Sequence, residues 1–114
     1  MKQMSNVSPF TSRVKQAIKN IPAGKVATYG QIASIAGSYR AARQVVRILH
    51  SSSRKDNLPW FRVINKKGQI SLLPGNGFEQ QKQLLEQEGI IFDDYNQIDL
   101  EQYLWQPPHG GTLL

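Results

Sequence analysis

The chain has 114 residues, which is enough for one domain with a single sizeable core and short for two. It contains no cysteine, and this excludes disulfide bonds and thiolate metal sites. Its two histidines, His50 and His109, are too distant in sequence to suggest a metal-ligand cluster. No run approaches the roughly 18 to 20 apolar residues of a membrane span, and there is no secretory apolar stretch, so we expect a cytoplasmic protein without a metal or cofactor.

Charge is divided unevenly along the chain. Residues 1–72 contain 13 Lys and Arg against one acidic residue, a net charge of +12, whereas residues 73–114 have a net charge of −6. A basic segment of this uniformity is typical of a polyanion-binding surface, because each neutralised phosphate releases counterions. The alternative is a solvated basic surface that serves solubility, and the concentration of the charge in 72 residues disfavours it.

Helix caps and apolar spacing predict the elements in chain order. Thr11 or Ser12 is the expected N-cap of the first helix, and Thr28 that of a second helix that buries Ile35. Ser38 is the expected cap of a third helix. The predicted helices span about 11–20, 29–35, 40–50 and 79–88 (the last ended by Gly89), and short strands span 60–65 and 69–72, joined by a turn at 66–68.

Two helices joined through residues 36–39 and followed by a short hairpin predict a winged helix-turn-helix. At about 100° per residue, Arg40, Arg43 and Arg47 fall within roughly 60° of one another on the third helix. No acidic residue on that helix compensates them, so nucleic acid is the favoured partner of this face. An ordinary amphipathic surface helix with solvated arginines is the alternative.

Three segments resemble one known family. Residues 59–63 read Pro-Trp-Phe-Arg-Val and resemble Pro-Cys-His-Arg-Val, the active-site motif of O6-alkylguanine-DNA alkyltransferases. Residues 39–45 (Tyr-Arg-Ala-Ala-Arg-Gln-Val) resemble the family's Ala-Ala-Arg-x-Val segment. Residues 24–33 resemble its Gly-x-Val-x-Thr-Tyr-Gly-x-[Ile/Leu]-Ala segment. Trp60 stands in place of the cysteine that accepts the alkyl group, so the resemblance points to the alkyltransferase-like proteins, which bind lesions and lack the transfer chemistry.

The resemblance implies a fold and roles for individual residues. The expected fold is an α+β domain, a single winged helix-turn-helix-like DNA-binding domain similar to the C-terminal domain of the alkyltransferases. Arg43 would enter the base stack in place of an extruded nucleotide, and Tyr29 would promote its rotation. Trp60, with Arg62 and Val63, would contain the alkylated base; the alternative is that Trp60 only fills the former active site as core.

The resemblance also implies partners and further contacts. It indicates a monomer that binds duplex DNA containing O6-alkylguanine, is associated with the nucleoid, performs no alkyl transfer and flags lesions to nucleotide excision repair proteins. A winged-helix regulator that reads a DNA sequence is the alternative. The expected domain spans 10–106, with flexible segments at 1–9 and 107–114. The expected DNA-backbone contacts are Thr11, Ser38, Arg40, Ala42, Arg47 and Lys66.

Overall fold

The computed structural model describes residues 8–52 and 56–107, which form an α+β domain. Within these ranges no helix has the length and apolarity needed to span a membrane. The terminal segments 1–9 and 107–114 were predicted to be flexible, and residues 1–7 and 108–114 of them lie outside the described part. The elements are α1 (Pro9–Lys19), β1 (Ala27–Thr28), α2 (Tyr29–Ile35), α3 (Ala42–Ser52), a 3-10 turn (Trp60–Arg62), β2 (Val63–Ile64), α4 (Phe78–Gln87) and α5 (Leu100–Tyr103).

Helix α1 begins earlier than predicted. Its N-cap is Ser8, whose hydroxyl accepts a hydrogen bond from the Thr11 N–H at 3.1 Å. Pro9 follows at the first helical position, where its fixed φ suits the helix and its missing N–H leaves no donor unsatisfied. The predicted caps at Thr11 and Ser12 were therefore wrong, because the Ser-Pro pair starts the helix before them. The predicted end near Asn20 is confirmed.

Helix α2 has the predicted N-cap. The Thr28 hydroxyl accepts from the Gln31 N–H at 3.0 Å, and the Gln31 side chain accepts from the Thr28 N–H at 3.3 Å, which completes a capping box. Ile32 is buried as expected, but Ile35 is 44% exposed, so its predicted burial was wrong. The buried residues 32, 33 and 36 occupy an arc of about 100°, and position 35 falls outside it.

Helix α3 begins at Ala42 and not at Arg40. Residues 38–41 form a turn in which the Ala41 N–H donates to the Ser38 carbonyl at 3.0 Å, and the Ala41 carbonyl is the first helical acceptor. Arg40 therefore precedes the helix, so the prediction that it shares a helical face with Arg43 and Arg47 was wrong. The apolar side of α3 faces the core through Val45 and Ile48, as predicted.

The predicted turn at 66–68 is present, with the Asn65 N–H donating to the Gln69 carbonyl at 3.2 Å, but the predicted hairpin strands 60–65 and 69–72 were wrong. Residues 60–62 form the 3-10 turn, and β2 pairs in parallel with β1, with Ala27 opposite Val63. Gln69 instead forms a single antiparallel bridge with Gln97. Consecutive residues of β2 are buried, which is typical of a parallel strand covered on both faces and not of a hairpin strand with alternating exposure.

The small sheet divides the core into two parts. Val63 packs with helices α1 to α3, whereas its neighbour Ile64 packs with α4 and the C-terminal segment. Successive strand side chains point to opposite faces, so each strand residue contributes to one part only. Helix α4 lies within one residue of its predicted bounds, and Gly89 follows its end with a φ of 91°.

The C-terminal segment returns to the N-terminal core. The Trp105 N–H donates to the Val26 carbonyl at 2.7 Å, and the Gln31 side-chain amide donates to the Trp105 carbonyl at 2.8 Å. The Trp105 side chain is only 8% exposed and packs in the same part of the core as α1 to α3. Trp105 thus docks the C-terminal segment on the core.

Candidate nucleic-acid interface

The exposed side of α3 is basic. Arg43 and Arg47 lie one helical turn apart on this side, and both side chains are exposed. The opposite side packs on the core, so the helix is held with its guanidinium groups directed to solvent. No acidic residue occurs between Ala42 and Ser52 to neutralise them. This exposed side, together with Arg40, is called the arginine face below.

Arg40 is positioned by its neighbour in the turn before α3. Its Nε donates to the Tyr39 hydroxyl at 3.2 Å, and its guanidinium carbon lies 5.4 Å from the centre of the Tyr39 ring. Tyr39 is 69% exposed, so the stacked pair projects from the surface. The turn thus extends the arginine face beyond the N-terminus of the helix.

Trp60 lines a cavity of about 700 Å³ beside the C-terminal end of α3. Trp60 is half-buried, and its ring meets the Phe61 ring edge to face, with 6.0 Å between centres and 89° between planes. The wall therefore combines flat apolar surface with hydroxyl and amide groups. Its lining residues are Leu49, His50, Ser51, Asn57, Leu58, Trp60, Phe61 and Gln80. It is called the Trp60 cavity below.

Tyr29 lines a smaller cavity of about 70 Å³ that shares Leu49 and His50 with the Trp60 cavity. Two helical residues thus separate Tyr29 from Trp60. Burial raises the pKa of the Tyr29 phenol, an effect that its hydrogen bond with the Ser71 side chain partly opposes. Tyr29 therefore stays a neutral phenol over the physiological pH range.

Arg62 is held by Glu88. The Arg62 Nε donates to the Glu88 carboxylate at 3.0 Å, and one terminal nitrogen donates to the Ile21 carbonyl at 2.9 Å. Burial acts to raise the pKa of Glu88, but hydrogen bonds from Arg62 and from the Gly24 N–H, with the Arg62 charge, bring it below its usual value. Arg62 therefore joins the 3-10 turn to α4, and its guanidinium is occupied within the fold.

Gln81 is a site residue that sequence reasoning missed. It is only 2% exposed, and its side-chain amide donates to the Phe61 and Val63 carbonyls, both at 3.0 Å. These bonds hold the segment that contains Trp60 against α4. One signal was available, since a glutamine four residues before the buried Leu85 lies on the apolar side of the helix. Val63 has a buried side chain and a bonded carbonyl, so it supports the Trp60 cavity from within the core.

The remaining predicted DNA contacts lie in different places. Ser38 and Ala42 flank the turn before α3, next to the arginine face. Thr11 lies in the first turn of α1, where its hydroxyl is 3.0 Å from that of Ser8. Lys66 lines a separate cavity of about 620 Å³ with Lys67 and residues of the acidic C-terminal segment. The structure therefore groups Ser38, Arg40, Ala42, Arg43 and Arg47, and it does not bring Lys66 to the Trp60 cavity.

The described residues contain no group of three or more His, Asp or Glu side chains placed to hold a metal ion. His50, the one histidine in the described ranges, lines the two cavities beside α3. Sequence reasoning considered it only as a metal ligand and missed this position. Residues that end a helix and also face a cavity cannot be recognised without knowing which segments pack against that end.

A family model of the 6-O-methylguanine DNA methyltransferase DNA-binding domain matches residues 9–90. The match covers most of the chain, and the chain belongs to this family. The fold expected from the three motifs is thereby confirmed as a class. The family's acceptor cysteine is absent here, because the chain contains no cysteine at all.

Two members of this family resemble the chain over most of its length. The DNA base-flipping protein of Escherichia coli (strain K12) is 44% identical over 103 residues, covering 90% of this chain and 79% of that protein. The crystal structure of Alkyltransferase-like protein 1 of Schizosaccharomyces pombe, in complex with damaged DNA containing O6-carboxymethylguanine, matches with a TM-score of 0.76 at 37% identity, covering 86% of this chain and 95% of that one.

The catalytic branch of the family is matched less fully. The methylated-DNA–protein-cysteine methyltransferase of Salmonella typhimurium is 34% identical over 84 residues, and only 48% of its length is covered. Similarity to the alkyltransferase-like proteins thus extends over nearly their whole length, and that to the methyltransferase over half of its length. The predicted relationship to alkyltransferase-like proteins is confirmed.

Proposed function

We propose that this protein binds O6-alkylguanine in duplex DNA by rotating the damaged nucleotide out of the helix, and that it transfers no alkyl group. The observation that carries the proposal is the position of the Trp60 cavity at the C-terminal end of the helix that bears the arginine face. A protein that docks on DNA through α3 would thereby have an open cavity, large enough to admit a base, beside the point of contact. The relatives named for base flipping and bound to damaged DNA support the same function.

The first step is docking on the phosphate backbone. Arg40, Arg43 and Arg47 offer permanent positive charge, and Ala42 at the helix start allows close approach of the backbone. Phosphate contacts of this kind set the register of the protein on the duplex without reading its sequence. Ser38, beside the same turn, would add a short polar contact. Thr11 and Lys66, which lie outside the arginine face, remain proposed phosphate contacts.

The second step is nucleotide rotation. The Arg43 guanidinium has no hydrogen-bond or ion-pair partner among the described residues, so it is available to enter the base stack. A planar, permanently charged group can stack on neighbouring bases and hydrogen-bond the orphaned base. Tyr29, on the other side of Leu49 and His50, would act beside the phosphate of the rotating nucleotide. Its neutral phenol can donate a hydrogen bond there.

The third step is containment of the base. A volume of about 700 Å³ lies within the range of about 300 to 1,000 Å³ that is typical of small-ligand sites. The indole of Trp60 would meet the base or its alkyl group, a contact that contributes on the order of 1 to 3 kcal/mol. Arg62 and Val63 would support this wall from behind through Glu88 and Gln81.

No alkyl transfer follows containment in this proposal. A thiolate is the nucleophile of the family reaction, and the indole of Trp60 cannot replace it. The phenyl ring of Phe61 likewise cannot replace the histidine of the family motif. The bound lesion would instead serve as a signal to nucleotide excision repair. The protein would act as a monomer in the nucleoid-containing cytoplasm, with duplex DNA as its direct partner.

Fluorescence anisotropy at fixed salt tests the proposal with one duplex carrying guanine, O6-methylguanine or a bulkier O6-alkylguanine. We expect a preference of about tenfold or more for the lesions, equivalent to about 1.4 kcal/mol. The Arg43→Ala and Trp60→Ala variants should lose this preference. Lys67→Ala is the matched control, since it removes the same charge from the turn beside the acidic segment.

Two outcomes would contradict the proposal. Equal affinity for all three duplexes would leave a winged-helix-like protein that reads sequence or binds DNA generally. Appearance of labelled alkyl groups on the protein, after incubation with DNA labelled in the O6 substituent, would show a transfer reaction. Adding excision-repair proteins to the lesion complex then tests the signalling step separately, through an increase in incision near the lesion.

A further inference from the structure

His50 occupies a position that the proposed lesion-binding steps do not use. It is the residue before Ser51 in the last turn of α3, and it lines both the Trp60 cavity and the smaller cavity of Tyr29. Its imidazole makes no hydrogen bond with the part of the chain that the structure describes. A base contained in the Trp60 cavity would therefore lie beside an imidazole with free ring nitrogens.

The wall of the Trp60 cavity has no other group that changes charge near neutral pH. Its remaining lining residues have apolar, hydroxyl or amide side chains. Helix α4 contributes Gln80 to the Trp60 cavity and Gln81 to the smaller cavity. From α2, the Tyr29 phenol faces the smaller cavity and stays neutral. On α3 itself, Arg47 lies one turn before His50 and keeps its charge at all relevant pH values.

Among the residues that the structure describes, no acidic side chain lines the Trp60 cavity beside His50. Asp56, the acidic residue closest in sequence to the cavity wall at Asn57, is paired with Lys15 at 2.8 Å. The cavity wall itself therefore offers no carboxylate that would compete with a guest for the imidazolium.

We infer that His50 makes the Trp60 cavity select O6 substituents that carry negative charge, such as a carboxymethyl group, and that this selection strengthens as the pH falls. The inference rests on the proposed function, since it assumes that the base enters this cavity. A carboxymethyl group is ionised above about pH 5, because carboxyl groups ordinarily titrate near pH 4. Histidine is the side chain that gains its charge between about pH 8 and 5.

The test measures the affinities for O6-carboxymethylguanine and O6-methylguanine duplexes at about pH 8 and about pH 5.5, at one ionic strength. The ratio of the two affinities cancels the general effect of pH on DNA binding. We expect this ratio to rise by about threefold at the lower pH, the effect of a partly solvated ion pair. A ratio that stays constant between the two pH values, while both lesions remain preferred over guanine, would overturn the inference.

Variants of His50 separate charge from shape. His50→Gln keeps a polar side chain of similar size and should make the ratio independent of pH. His50→Lys carries a fixed charge and should keep a high ratio at both pH values. His109→Gln, which removes the other histidine of the chain, should leave the pH dependence unchanged; loss of the dependence in this control would also overturn the inference.

The two proposals fail in distinguishable ways. Absence of any lesion preference, at either pH and in every variant, contradicts the proposed function and with it the role of His50. A lesion preference that persists with an unchanged carboxymethyl-to-methyl ratio contradicts the role of His50 alone. Circular dichroism of His50→Gln and His50→Lys, compared with the unsubstituted protein, shows whether either variant has lost its helices.

Discussion

The basic and the acidic parts of the chain make different contributions to one domain. Residues 1–72, with a net charge of +12, supply the arginine face, Tyr29 and most of the Trp60 cavity. Residues 73–114, with a net charge of −6, supply mainly the contacts that hold this surface from behind: Gln81 on the 3-10 turn, Glu88 on Arg62, and Trp105 in the core of α1 to α3. The charge division therefore separates a proposed binding surface from its support, and substitutions in the two parts should affect different measurements.

The largest expected effect is on stability and comes from Trp105→Ala. Trp105 is 8% exposed and joins the end of the acidic part to the core of the basic part. Truncation of a buried aromatic side chain typically costs about 3 to 5 kcal/mol, through lost burial and the cavity left behind. We expect a decrease of about 3 kcal/mol in the free energy of unfolding, measured by urea denaturation.

The control for this prediction is Tyr95→Ala. Tyr95 is an aromatic residue of the same acidic part, but it is 81% exposed. Its truncation should change the free energy of unfolding by no more than about 0.5 kcal/mol. Equal effects of the two substitutions would mean that the C-terminal segment does not dock on the core through Trp105.

A smaller loss of stability is expected from Glu88→Gln. This change removes the charge of the carboxylate that accepts hydrogen bonds from Arg62 and from the Gly24 N–H. Hydrogen bonds to charged groups contribute about 1.5 to 3 kcal/mol each, so we expect a loss of about 2 kcal/mol at pH 7. Because Arg62 and Gly24 outweigh burial and hold the pKa of Glu88 below 4.5, the stabilisation is present above pH 4.5 and is lost as the pH falls through the lower folded-state pKa.

Urea denaturation across the pH range checks both parts of this prediction. The difference in unfolding free energy between the unsubstituted protein and Glu88→Gln should be constant above pH 4.5 and should shrink below it. Glu101→Gln is the control, since that side chain is exposed on α5. If the free energy of unfolding depends on pH in the same way in Glu88→Gln and in the unsubstituted protein, Glu88 does not contribute to the loss of stability in acid.

Local signals in the sequence predicted individual elements better than contacts between distant segments. The Thr28 N-cap, the apolar side of α3 and the end of α4 at Gly89 depend on residues within a few positions, and all were predicted correctly. The parallel pairing of Ala27 with Val63 was not predicted, because an apolar pattern does not indicate which distant segment of the chain a strand will pair with. The contacts of Gln81 are made 18 and 20 residues away, and only the packing of α4 brings them together.

Arg47→Ala should affect DNA binding and not stability. The side chain is exposed on α3, so its removal leaves the core unchanged. Loss of one phosphate contact should weaken binding to all duplexes by about fivefold, or about 1 kcal/mol, and lower the salt slope of log K by about 0.9. Lys82→Ala is the control from the acidic part, where the ammonium bonds Asn96 at 2.7 Å. An unchanged salt slope in Arg47→Ala would place the DNA on another surface.

The smallest expected effect separates two roles of Tyr29. Its hydroxyl is hydrogen-bonded to the exposed Ser71, so Tyr29→Phe and Ser71→Ala should each lower the free energy of unfolding by about 0.5 kcal/mol, with little further loss in the double variant. Only Tyr29→Phe should weaken the preference for O6-alkylguanine, since the phenol and not the serine would act on the rotating nucleotide. Anisotropy and urea denaturation on the same four proteins measure both effects. A binding loss shared by Ser71→Ala would show that the hydroxyl acts by positioning the Tyr29 ring and not by contacting DNA.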